Sequence, residues 1–194
     1  RVISHHPAVP VEEVYAFYQA LRQREGIGAR ALEFVLFTAA RSGEVRGARW
    51  SELDLVSKVW TVPAVRMKTK IEHRVPLAPE AVLLLESLPR LEGSDLVFFA
   101  PRGGQLSDMA LTAVMRRMGR KEVPHGLRSS FRDWAGDHTE FPRELAEAAL
   151  AHVVGGVEAA YRRGDALERR RLMMAAWAKF CTSSHANRGV VGVT

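Results

Sequence analysis

The chain has 194 residues, 47% of them hydrophobic and 26% charged, which is enough apolar material for one good core and an ordinary globular composition. Its single cysteine, Cys181, excludes an internal disulfide framework and a cysteine-built zinc cluster, and no apolar run approaches the roughly 18 residues a membrane helix needs. The formal net charge of +6 has the sign of a surface that displaces counterions from phosphates.

The opening RVISHHPAVP has no periodicity, lacks the charged-then-apolar design of a signal peptide and starts without methionine. Residues 1–10 therefore read as a linker from an upstream domain, and the expected compartment is the cytoplasm. Apolar residues at Val11, Val14, Tyr15, Tyr18 and Leu21 keep helical spacing. Leu32, Val35, Leu36 and Ala39 repeat that spacing after Gly26 and Gly28, so two helices open the chain, the second ending at a break marked by Ser42 and Gly43. Between Lys58 and Leu77 the texture changes to KVWTVP and HRVPL, separated by a charged stretch from Arg66 to Arg74, which predicts a small antiparallel β element.

Helical patterns return at Val82, Leu85 and Leu88, at Leu111, Met115 and Met118, and from about Leu127 to His138, with Gly103 and Gly104 forming a turn between the first two. Pro142 suits a first helical turn leading into RELAEAALA, and Met173, Ala176, Trp177 and Phe180 mark a last amphipathic helix. That helix, with Met174, either packs on its own domain or docks on a neighbouring copy. The fold class read from these elements is mainly α with a small antiparallel β-sheet, an α+β domain over residues 11–182, followed by a loose tail over 183–194.

Several residues carry chemical potential. Arg41 and Glu44 follow an apolar helix directly, where an arginine alone reads as an ion-pair or capping residue. In HGLRSSFRDWA, His125 and Arg128 are three apart and share a face if the segment is helical, joining a phosphate-matching guanidinium to an imidazole that titrates near neutrality. LAHVVGGVEAAYRR sets His152 and Tyr161 nine positions apart around Gly155 and Gly156, and a tyrosine needs neighbouring cations or a base before it attacks phosphorus. Basic residues gather at Arg116, Arg117, Arg120 and Lys121, before His125, and at Arg162, Arg163, Arg169, Arg170 and Arg171, after Tyr161. Solvated helix faces explain each cluster equally well when taken alone.

Taken in order, AARSGE, the lysine-bearing hairpin, HGLR, LAH and the following tyrosine resemble the tyrosine recombinases, over roughly Pro10 to Phe180. HHPAVP, ALEFVLFTAARSGEVRGARWSELDL, RMKTKIEHRVPL and FRDWA are similar to integrases of prophages and genomic islands. The resemblance implies a catalytic set of Arg41, Lys68, His125, Arg128, His152 and Tyr161, with Glu44 in support. Lys68 is preferred to Lys70 because the family's lysine lies seven residues before the valine of Val-Pro-Leu, here Val75. Ala151 departs from the glycine that much of the family carries before the second histidine.

The resemblance further implies strand cleavage without metal or cofactor. Arg41 and Arg128 straddle the scissile phosphate, Tyr161 forms a 3′-phosphotyrosine, Lys68 protonates the leaving 5′-oxygen, His125 accepts the tyrosine proton or orients the phosphate, and His152 bonds a nonbridging oxygen. The implied partners are double-stranded DNA attachment sites contacted by Lys70, Arg116, Arg117, Arg120, Lys121, Arg162 and Arg163, further copies of the chain in a tetramer on DNA, a directionality factor and a DNA-bending protein. Two other readings are a type IB topoisomerase, which relaxes strands without synapsis, and a DNA-binding regulator on the same scaffold that does not cut.

Overall fold

The computed structural model describes residues 7–152 and 166–184. A 3-10 turn at Val11–Glu13 leads into α1 (Val14–Arg22), whose Val14, Phe17 and Leu21 are buried at helical spacing. Gly26, at φ 94, makes a turn that a side chain would strain, and α2 (Ile27–Thr38) follows. From Ala31 to Thr38 every residue of α2 is buried, as befits a helix that is apolar nearly all round and packs against α1 and later helices. The predicted break at Ser42 and Gly43 falls earlier. The chain leaves α2 at Ala39, which is left-handed at φ 52, and Ser42 and Gly43 open α3 (Ser42–Arg46).

The sheet has three strands, β1 (Leu53–Asp54), β2 (Val59–Val62) and β3 (His73–Pro76), paired antiparallel in the order β1-β2-β3 with Trp60 opposite both Leu53 and Val75. The long β2–β3 connection contains a 3-10 turn at Ala64–Arg66, then Lys68 and Lys70. α4 (Pro79–Glu86) begins with proline, where the missing N–H is harmless. α5 (Ala110–Arg117), α6 (Gly126–Asp137), α7 (Arg143–Ala149) and α8 (Ala166–Thr182) complete the described elements.

One apolar cluster runs from Val9 to Cys181 and takes side chains from every helix. α8 closes it. Met173, Met174 and Trp177 are buried on their own domain, so the intramolecular alternative holds for this face. The Trp177 indole stands within 5.1 Å of Trp134, 5.6 Å of Phe131 and 5.9 Å of Phe180, and donates to the Leu36 carbonyl at 2.6 Å. Arg170 of α8 donates to the Arg74 carbonyl at 2.7 Å, tying the helix to β3.

Residues 7–10, read as linker, lie against the domain. Val9 is buried, its carbonyl takes the Ser130 hydroxyl at 2.5 Å, and Pro7 crosses the start of α6 so closely that a Cβ on Gly126 would meet the Pro7 oxygen at 2.1 Å. Among the described residues, no helix is long and apolar enough to cross a membrane.

Candidate active site

Arg41 stands where α2 gives way to α3. The Thr38 hydroxyl donates to the Phe34 carbonyl at 2.7 Å and receives the Ala40 N–H at 3.3 Å, which ends α2. Glu44 then folds back from the third position of α3, one carboxylate oxygen accepting the Arg41 backbone N–H at 2.9 Å and the other its Nη1 at 2.9 Å. A carboxylate only 5% exposed thus starts the helix and aims the arginine.

Arg128 enters from the first turn of α6 and is also buried. Its Nη1 donates to the Ala39 carbonyl at 2.6 Å and its Nη2 to the Leu150 carbonyl at 2.7 Å, oxygens that lie just past the ends of α2 and α7. Nη2 also lies 3.3 Å from Nε2 of His152, whose Nδ1 is 2.5 Å from Glu147 Oε2. These partners assign the tautomer: Glu147 accepts from Nδ1, and Nε2 accepts from Arg128. Glu147 also pairs with Arg132 at 3.1 Å. Burial first, and the positive charge of Arg41 second, push the pKa of Arg128 down to about 10, so the group stays cationic at neutral pH.

Lysine reaches the same place from the sheet. A cavity of about 340 Å³ is lined by Arg41, Gly43 and Glu44 and, from the β2–β3 connection, by Arg66, Lys68 and Lys70. His125 is exposed immediately before α6, three residues from Arg128. The structure therefore gathers Arg41, Glu44 and Lys68 around one cavity, while Arg128 with His152 does not line it but lies near enough to Arg41 to feel its charge. Tyr161, Arg162 and Arg163 lie outside the described residues.

The other basic residues have different surroundings. Arg116 donates to the Arg120 and Glu122 carbonyls at 2.7 and 2.8 Å, and Arg120 pairs with Glu13 and Glu122 at 2.7 and 2.8 Å, so both hold the turn after α5 together. Arg117 and Lys121 are exposed. None of the four lines the cavity.

Three participants were not read from the sequence. Glu147 orients His152 from five residues upstream. Arg66, two residues before Lys68, pairs with Glu52 and donates to the Glu44 carbonyl. His73, the first residue of β3, is half-buried, hydrogen-bonds the Ala149 backbone and feels the charges of Arg170, Glu44 and Arg128; desolvation first, and Arg170 second, push its pKa down to about 4. A signal for His73 existed: it alternates with Val75 and Leu77, which are buried, so period two turns it inward.

A model of the phage integrase family matches residues 9–163. The prophage integrase IntA of Escherichia coli strain K12 is 39% identical over 149 residues, which is 74% of this chain and 36% of that protein. The XerA recombinase crystal structure superposes with a TM-score of 0.62 at 18% identity, covering 96% of this chain and 62% of that one. A lambda integrase dimer bound to a COC′ core site gives 0.61 at 18% identity, over 85% of this chain and 51% of that one. At such identities the structural likeness concerns the fold, a mainly helical domain with a small antiparallel sheet. The chain spans about a third to a half of the curated relatives it matches.

Proposed function

The chain belongs to the phage integrase family, and on that premise we propose that it cuts and rejoins DNA strands through a 3′-phosphotyrosine on Tyr161. The observation that carries this reading is the pair of arginines. Arg41 and Arg128 come from separate helices and are held close enough for one charge to depress the pKa of the other. Two cations near one another favour an anion between them, and Lys68 lines the cavity that Arg41 lines.

In the proposed reaction a phosphodiester settles against Arg41 and Arg128, which neutralise charge on the nonbridging oxygens. The Tyr161 oxygen attacks phosphorus as its proton passes to His125, the bond to the 5′-oxygen breaks, and Lys68 supplies the proton that oxygen needs. His152 takes up a proton at Nε2 and exchanges its contact with Arg128 for a hydrogen bond donated to a nonbridging oxygen, while Glu147 still accepts from Nδ1. Attack by a 5′-hydroxyl on the phosphotyrosine then reverses each step, so the bond energy is conserved and no nucleotide is consumed.

The substrate in this reading is a double-stranded DNA attachment site, with Lys70, Arg117, Lys121, Arg162 and Arg163 as backbone contacts and smaller parts for Arg116 and Arg120. The lambda integrase likeness, a dimer on its core site, supports assembly on DNA, for which we propose a tetramer. A directionality factor and a bending protein would choose between integration and excision.

The test is covalent trapping. The protein and its Tyr161→Phe form are mixed with nicked duplexes and resolved under denaturing conditions. The expected result is a protein-DNA adduct from the parent chain and none from the variant. An adduct of equal yield from both would refute the assignment of Tyr161, and no adduct from either would return the non-cleaving regulator.

A further inference from the structure

Resting on the reading above, we propose that Arg66 is a positioning residue that sets Lys68 against Arg41 and so governs proton delivery to the leaving oxygen. Arg66 stands at the end of the 3-10 turn before Lys68 and is largely buried. Its Nε and Nη2 donate side by side to the two Glu52 carboxylate oxygens at 2.9 and 2.7 Å, and its Nη1 donates to the Glu44 carbonyl at 3.1 Å. Glu52 is anchored in turn by the Trp60 indole at 3.0 Å. The residue whose backbone receives Arg66 is the one whose carboxylate aims Arg41, so one guanidinium links the lysine connection to the arginine turn.

An independent feature points to the same contact. Gly47 has an ordinary φ of −97, open to any residue, yet a Cβ there would stand 2.4 Å from Arg66 Nη1. A side chain at position 47 would have to displace that guanidinium, whereas the backbone there would accept one. Beyond Arg66, Met67 is buried and its carbonyl accepts the Lys70 N–H at 3.1 Å, so Lys68 leaves from a tight turn whose first residue is fixed. A merely stabilising surface ion pair would need neither the third hydrogen bond nor the vacant position.

The test uses two duplexes, one ordinary and one whose leaving 5′-oxygen is replaced by sulfur. A thiol ionises near 8.5 and departs as thiolate, so the sulfur duplex needs no general acid. Arg66→Ala should cut the ordinary duplex about 100-fold more slowly, the lower range for losing a general acid, while cutting the sulfur duplex within about 3-fold of the parent and binding both unchanged. Arg66→Lys should fail to rescue, because an ammonium cannot make the paired contact. Gly47→Ala should give a smaller loss with the same preference for sulfur. A misfolded chain cuts neither duplex, so the sulfur substrate also reports folding.

Equal losses on both duplexes in Arg66→Ala and Gly47→Ala with DNA binding and circular dichroism unchanged, or no loss on either, would overturn the positioning role. If Lys68→Ala itself shows no sulfur rescue while Tyr161→Phe abolishes the adduct, the lysine is not the acid and the inference falls with that assignment. If Tyr161→Phe leaves the adduct intact, the fault lies in the underlying reading.

Discussion

Gly126→Ala offers a test in which local propensity and tertiary packing give opposite signs. Gly126 opens α6, where alanine should favour the helix by up to about 1 kcal/mol. Its missing Cβ, however, would meet the Pro7 oxygen at 2.1 Å and the Pro7 carbonyl carbon and Ala8 Cα at 2.9 Å. These are backbone atoms, and no rotamer change relieves them, so the arm over residues 7–9 must lift. Lifting removes the Ser130 hydroxyl from the Val9 carbonyl, about 1 kcal/mol, and exposes Val9, about 2 kcal/mol. The net expectation, after the gain in propensity, is a loss of about 2 kcal/mol.

Gly136→Ala in the same helix is the control, since nothing lies within 4 Å of its Cβ position. It should gain up to about 1 kcal/mol. Urea unfolding followed by tryptophan fluorescence and far-ultraviolet circular dichroism reads both. For a domain of this size each kcal/mol moves Tm by about 2 to 4 °C, so the variants should shift in opposite directions. If both stabilise the protein, or if Gly126→Ala stays within about 0.5 kcal/mol of the parent, the arm is not seated on α6.

Two further outcomes follow from a half-buried histidine and a buried carboxylate near the arginines. His73 resists protonation down to about 4, whereas the unfolded chain accepts the proton near 6.5, so stability present above pH 6.5 is lost as pH falls toward 4. That loss reaches about 3 kcal/mol, and His73→Gln should flatten this part of the pH profile in urea titrations; an unchanged slope would refute the burial. Glu44→Ala removes both the cap and the ion partner of Arg41 and should destabilise by about 3 kcal/mol, with Glu44→Gln, which keeps the cap, losing about half. Equal losses from the two variants would show that the cap contributes nothing and that the charge carries the whole effect.

Much of the domain was readable because it is locally encoded. Val14, Phe17 and Leu21 keep a helical period, and the two β runs flank a charged connection as expected. The boundary after α2 lies before Ser42 and Gly43, at the Thr38 side chain and a left-handed alanine, which propensity does not flag. Arg41, Lys68, Arg128 and His152 were legible as an ordered set. The burial of Arg128 was not, since the carbonyls that hold it belong to Ala39 and Leu150, distant in sequence. The same reason hid Arg66, which looked like one more charge in a solvated stretch until Glu52 and Glu44 came together around it.

The two carbonyls on Arg128 have a consequence for turnover. Each terminates a helix, so each carries the negative end of a helix dipole toward the guanidinium. A bare arginine in a dry cavity would grip a resting phosphodiester almost as firmly as a strained one, which deepens the bound state without lowering the barrier. In the proposed reaction a resting anion would have to compete with oxygens already in place, and the advantage would grow only as extra negative charge built at phosphorus and fade again once the strand was rejoined.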